Sequence, residues 1–125
     1  QNGSREIEFL VGRNGDFDLM AASVIRKLKK ETGNENVFLT LVLPYETAEL
    51  RNNTESFESY YDSIEICDSQ NFKYAIVARN HEMINRSDMV VVYVKNEFGG
   101  AYQALKYAEK NQKRIINLYH TQNEE

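Results

Sequence analysis

With a single cysteine, Cys67, the chain cannot close an internal disulfide, so its stability has to come from a packed core. The two histidines, His81 and His120, have no companion His or Cys at metal-ligand spacing, and neither supports a metal site. No apolar run is long enough to span a bilayer and no signal-like amino terminus is present, so the expected compartment is the cytoplasm, away from membranes. Acidic residues outnumber basic ones, 19 to 15. The formal net charge is −4, and a protein that grips nucleic acid usually carries a basic face, so no nucleic-acid partner is expected. Without a secretory signal, the acceptor-like tripeptides Asn52-Asn53-Thr54 and Asn85-Arg86-Ser87 read as coincidental.

What is present is enough for one core. At 125 residues, 42% of them hydrophobic, the chain reads as a single domain over 5–120, with 121–125 as a tail. Residues 1–4 lack an initiating Met and read as an appended leader outside the fold argument.

Apolar runs alternate with helical patterns along the whole domain. Glu6 to Val11 predicts a strand that halts at Gly12, and Arg13-Asn14-Gly15-Asp16 leads into a helix. In that helix Phe17, Ala21, Val24 and Leu28 form the expected buried stripe with Met20 and Ile25 beside it. Asp16 or Asp18 is the expected cap, and Gly33 the stop. Val37 to Leu43 is nearly all apolar and reads as a central strand ended by Pro44. From Glu46 to Asp62 the pattern weakens to a short exposed helix and a loop. Tyr60 and Tyr61 there read as cover for a core edge in preference to stacking on a base. Ser63 to Cys67 alternates as an edge strand, with Cys67 as inert packing.

The helix expected over Asn71 to Arg86 carries an anomaly. Phe72, Ile76 and Met83 define its apolar stripe, and Arg79 falls in the middle of it. An inward guanidinium requires an anion, either a carboxylate such as Asp88 or Asp16, or a ligand phosphate. Met89 to Val94 then reads as a buried strand, and Phe98-Gly99-Gly100 opens a helix to about Asn111 with the stripe Ala101, Ala104, Leu105 and Ala108. Two residues without Cβ before a helix let a ligand approach the free N–H groups of its first turn, or make no more than a tight turn. Arg114 to Tyr119 is the last expected strand. The resulting fold class is α/β: a doubly wound, mainly parallel five-stranded Rossmann-like sheet with helices on both faces. Its ligands are expected beyond the carboxyl ends of strands one and four, where Gly12-Arg13-Asn14 and Gly99-Gly100-Ala101 would meet.

Phe9-Leu10-Val11-Gly12-Arg13, Arg79-Asn80 with Met83 to Asp88, Gly99-Gly100-Ala101 and Lys113 to Asn117 together resemble the SLOG superfamily of Rossmann-like nucleotide-binding domains, in particular its small single-domain bacterial branch. The superfamily includes phosphoribohydrolases that cut a nucleoside monophosphate at its N-glycosidic bond, and domains that sense nucleotide-derived signals; nucleoside deoxyribosyltransferases have a similar layout. The resemblance implies a dimer and carries over Gly12, Arg13, Arg79, Asp88, Gly99 and Gly100 as ligand-site residues; Asn14, Ala101, Tyr102 and Gln103 beside them complete the expected site.

The departures set the functional expectation. The enzymes have Pro-Gly-Gly-x-Gly-Thr followed by a Glu, where this chain has Phe98-Gly99-Gly100-Ala101-Tyr102-Gln103. An amide such as Gln103 can hydrogen-bond a ribose but cannot attack its anomeric carbon; Glu97 and Glu109 are the available carboxylates, neither at the position the enzymes use, and Glu97 is the catalytic candidate. The first expectation is a binding module for a small nucleotide or ADP-ribose-like ligand, with no cofactor. An N-glycoside hydrolase or transferase using Glu97, or a carboxylate from elsewhere in the chain, is the second. The third is a protein-interaction subunit whose glycine turn is empty.

Overall fold

The computed structural model describes residues 6–33, 35–67 and 72–119. In chain order these form β1 (Ile7–Val11), α1 (Asp16–Thr32), β2 (Val37–Leu43), α2 (Ala48–Asn52), α3 (Thr54–Tyr60), β3 (Ser63–Ile66), α4 (Phe72–Arg86), β4 (Met89–Val92), α5 (Gly100–Lys110) and β5 (Arg114–Asn117). The architecture is α/β, and every strand pairing among the described residues is parallel. The strands form a three-stranded sheet, β1-β2-β3, and a two-stranded sheet, β4-β5, where the sequence predicts one sheet of five. A hydrophobic run records how apolar a strand is, not which neighbour it pairs with. β4 alternates exposed and half-buried residues instead of being covered on both faces. The elements fall into two units, the first holding β1 to β3 and the second α4 to β5.

In the first unit β2 is central, as its composition demands: Leu39, Leu41 and Val42 are essentially inaccessible. Leu39, Leu41 and Leu43 join Val11, Ala22, Leu50, Phe57 and Tyr61 in the core, so residues from α1, α2 and α3 meet one face of the sheet. Thr40, on the opposite face, is buried as well, and its hydroxyl donates to Glu8 Oε2 at 2.7 Å. The segment read as a weak helix and loop is two short helices. Thr47 caps α2 by accepting from the Leu50 N–H, and Leu50, Phe57 and Tyr61 supply buried side chains, Tyr61 as core as expected.

The buried line of α1 differs from the expected stripe. Ala22 is inaccessible, while Val24 and Leu28 are 56% and 47% exposed. Ala22 and half-buried Ile25 meet the core, and the Lys29 ammonium reaches Asp62, just before β3, at 2.7 Å. Gly33 ends α1 as expected, at φ 63°, with its N–H on the Lys29 carbonyl.

In the second unit Ala75, Arg79 and Ile84 are buried among the described side chains of α4, Met83 is half-buried as part of the expected stripe, and Ile76 is exposed; the side chain of Phe72 lies outside the described residues. Ala108 is fully buried, Ala104 and Leu105 are half-buried, and Ala101 is exposed. The His81 and Tyr107 rings stack at 3.7 Å between α4 and α5, and the Tyr107 hydroxyl donates to Asn85. Lys113 donates to the carbonyls of Asn85 and Ser87, which close the end of α4.

The turn after α5 has Gln112 at φ 58°, with the Gln112 N–H on the Glu109 carbonyl and the Lys113 N–H on that of Ala108. This is the helix-ending turn that glycine normally occupies. A left-handed non-glycine residue costs about 1–2 kcal/mol, against about 0.5–1 kcal/mol of extra chain entropy for glycine. Gln112→Gly is therefore expected to raise the urea midpoint, by about 0.5–1 kcal/mol of stability. An unchanged or lower midpoint would mean that the turn stores no such strain.

Candidate functional site

Two crossover turns carry the residues singled out in the sequence, one in each unit. Gly12, Arg13 and Asn14 follow β1. Gly12 is buried, and Arg13 is held from several sides. Its Nε and Nη2 form a two-pronged bond to the Glu49 carboxylate at 3.0 and 2.9 Å, and Nη1 donates to the Tyr61 hydroxyl at 3.1 Å. The guanidinium also lies 4.8 Å from the centre of the Phe57 ring. The Glu49 hydrogen bond pushes the guanidinium still further from losing its proton, and the same bond holds the Glu49 carboxyl below its ordinary range. Burial raises the Tyr61 phenol.

The helix that follows is already supplied with negative charge. Asp18 Oδ2 accepts from the Asn14 N–H at 2.9 Å, and Asp16 shares the first turn. Asp18, not Asp16, makes this contact, and it reaches beyond the expected cap position, which Gly15 holds without a side-chain bond. A phosphate brought here would meet two carboxylates and an arginine already engaged.

The second turn is built differently. Beyond β4 the chain passes through an exposed segment, 95–99, in which Phe98 is 73% exposed, and enters α5 at Gly99 and Gly100. Gly99 has φ 96°, a conformation that requires glycine. Gly100 is helical and a Cβ there would meet nothing within 4 Å, so neither backbone nor packing dictates its identity. No side chain caps this helix and no acidic residue lies in its first turn. The first helical bond runs from the Gln103 N–H to the Gly99 carbonyl at 3.0 Å, which leaves the N–H groups before it without an intrahelical acceptor.

The surrounding carboxyl ends of β4 and β5 are fixed by groups that the sequence reading did not single out. Asn117 uses its side-chain amide as a strand backbone would: Oδ1 accepts from the Val94 N–H at 3.1 Å and Nδ2 donates to the Val94 carbonyl at 3.0 Å. The Tyr119 N–H also donates to Oδ1. Tyr93 and Tyr119 sit edge to face at 5.6 Å over these ends. An Asn closing an otherwise apolar strand was the available signal.

The other expected site residues separate by position. Arg79 is buried, its Nε donates to Asn80 Oδ1 at 2.8 Å, and among the described residues no buried side-chain nitrogen or oxygen lacks a partner. Its hydrogen-bonding groups are thus engaged within the chain. Asp88 precedes β4 and so lies at the opposite end of that strand from the glycines, about 13 Å away by strand rise alone. Ala101 and Gln103 are exposed, and Tyr102 is half-buried with the Lys106 ammonium 5.7 Å from its ring centre. Glu97 is exposed within the segment before Gly99.

A cleft of about 530 Å³ opens in the first unit, lined among others by Arg26, Lys29, Lys30, Glu35, Tyr60 and Asp62. It faces the amino ends of β2 and β3, away from the strand ends where ligands of such sheets gather. Within it Lys29 pairs with Asp62, and the Arg26 guanidinium stacks 4.1 Å from the Tyr60 ring centre. Among the described residues no group of three or more His, Cys, Asp or Glu could hold a metal ion, and no helix is long and apolar enough to cross a membrane.

No known protein-family model matches the chain, and no curated protein matches it.

The Asp62 carboxyl gives a pH prediction. Burial pushes it up, but the Lys29 ammonium and the Leu39 N–H at 2.8 Å outweigh burial and hold it below the ordinary value. A depressed carboxyl stabilises the fold above its unfolded pKa and loses that contribution as pH falls through the folded one; Glu49 acts in the same direction. Stability measured by urea unfolding should therefore be level between about pH 7 and about pH 5 and fall as pH drops below about 5. Asp62→Asn should flatten the decline by on the order of 0.5 kcal/mol, since solvent screens a half-exposed pair. A variant whose acid slope matched the parent's would show that the Lys29 pair contributes nothing to the linkage.

Proposed function

We propose that the chain is a binding module for a small nucleotide or ADP-ribose-like ligand, held by a phosphate at the start of α5. The observation that carries this reading is a helix start at the carboxyl end of a parallel strand that no side chain caps, no first-turn carboxylate opposes and no Cβ covers. The N–H groups of Gly100 and Ala101 would hold phosphate oxygens, and the ring of Tyr93 or Tyr102 offers a surface for the base. Lys95, in the exposed segment before the helix, is the cation for this role, because Arg13 and Arg79 are engaged elsewhere. The resemblance to nucleotide-binding SLOG domains supports the ligand class. The lack of a carboxylate in the first turn supports binding without N-glycosidic cleavage, for which Glu97 is the remaining candidate.

The test is thermal unfolding against AMP, NAD, ADP-ribose and cyclic nucleotides, with chromatography of each mixture afterwards. A ligand at about 100 times its dissociation constant should stabilise by about 2.7 kcal/mol and be recovered intact. Gly100→Asp should fold normally, because the added side chain enters open space. It should abolish the shift by setting a carboxylate against the phosphate. A panel that moves nothing, or a Gly100→Asp variant that responds like the parent, rules out this site; a ligand recovered cleaved at the glycosidic bond makes the protein an enzyme instead.

A further inference from the structure

The turn after β1 carries a reactive pair that the ligand reading does not use. Asn14 is followed by Gly15, and both are exposed. The Asn14 backbone is pinned by its N–H to Asp18, while its side-chain amide has no partner among the described residues. Gly15 stands just outside α1. Its carbonyl accepts from the Leu19 N–H at 3.3 Å, but its own N–H precedes the helical bonds and has no acceptor among the described residues. The backbone there is extended, at φ −178° and ψ −174°, and the space where a Cβ would project is empty to 4 Å. A nitrogen with a free N–H and no side chain on its residue thus follows an unengaged asparagine carboxamide, with solvent on hand.

We propose that Asn14 is a site of spontaneous deamidation through a succinimide formed with Gly15. The Gly15 amide nitrogen gives its proton to hydroxide and attacks Cγ of Asn14. The bond from Cγ to the side-chain nitrogen breaks, and ammonia leaves after taking up a proton from water. Water then opens the five-membered ring at either carbonyl, giving aspartate from one and isoaspartate from the other. In balance, one water is consumed and one ammonia released, with no change of oxidation state. Either product adds a negative charge beside Asp16 and Asp18. The isoaspartate also lengthens the backbone by one carbon between β1 and α1, at the residue whose N–H meets Asp18.

The folded protein is incubated in mildly alkaline buffer at body temperature, digested with trypsin, and the peptide 14–26 is followed by mass and chromatography. The chain's other Asn-Gly pair, Asn2-Gly3, falls in a different tryptic peptide. The expected result is a gain of one mass unit in peptide 14–26, resolving into aspartate and isoaspartate forms, with a rate that rises with pH. Gly15→Ala, whose methyl enters open space and leaves the fold intact, should slow conversion by an order of magnitude or more. Two outcomes overturn the proposal. One is an Asn14 that stays intact in the folded protein while a synthetic peptide of residues 10–19 is converted. The other is a Gly15→Ala variant that converts as fast as the parent.

Discussion

Parallel pairing imposes one recurrent constraint on this chain. Each strand must hand over to a crossover, and a crossover helix begins with N–H groups that the helix itself cannot satisfy. The two units meet that constraint in opposite ways. At α1, Asp16 and Asp18 put two carboxylates into the first turn, and Asp18 also reaches back to the Asn14 N–H. The partial positive charge of that helix start is answered from within the sequence, at about 0.3–1 kcal/mol per carboxylate. At α5 the same positions hold Gly100, Ala101 and Tyr102, none of which can answer it, and the Gly99 φ of 96° excludes the usual capping residues. The polarity of the two helix starts, more than any sequence motif, separates a structural turn from a candidate binding turn.

The arginines show why the sequence suggested Arg79 or Arg13 as the cation for a phosphate at the glycines. A guanidinium in a loop or on an apolar stripe demands an anion, but the sequence does not say whose. For Arg13 the partner is Glu49, 36 residues away in the segment expected to hold a short exposed helix and a loop. The fork geometry suits a carboxylate as well as a phosphate, and Tyr61 and Phe57 complete the enclosure. Arg79 was correctly read as inward-facing. Its neighbour Asn80 takes part of its hydrogen-bonding capacity, a contact between adjacent residues that no periodicity argument considers. Removing either anchor would leave a charged group poorly compensated, so these contacts restrict where an incoming anion can be held.

The elements themselves were readable where composition and environment coincide. β2 is apolar at nearly every position and is buried at nearly every position. The helices were readable as helices but not in their facing. On α1 the residues Val24 and Leu28 follow a helical repeat, yet the buried line passes through Ala22, Ile25 and Lys29. A small side chain permits close approach and a lysine stem can lie along apolar surface while its ammonium finds Asp62, so hydrophobicity alone misplaces the buried line. The same holds on α4, where Ala75 and Arg79 are buried and Ile76 is not. Sheet membership was less readable still, since apolar runs in β1 and β4 say that each pairs in parallel but not with which partner.

Asn117 supplies the last physical step between fold and site. The β4–β5 ladder ends at the Val92 and Asn117 register, and without help the chain beyond it would separate from its neighbour at once. The Asn117 amide offers an acceptor and a donor to the two backbone groups of Val94, so pairing continues for a further two residues with a side chain in place of a strand. Val94 is buried as a result of this course, and the exposed segment 95–99 starts from a fixed point instead of a frayed strand end. A helix start can act as a receptor for an anion only if its N–H groups are held in place before the ligand arrives, because any ordering left to the binding event subtracts from affinity. The neutral amide achieves that fixation without putting a charge near the glycines. An aspartate at the same position would lose the donor to the Val94 carbonyl and would set a negative charge at the strand end that leads toward α5. The identity of this one residue therefore ties the local pairing of the second sheet to the electrostatics of its open helix.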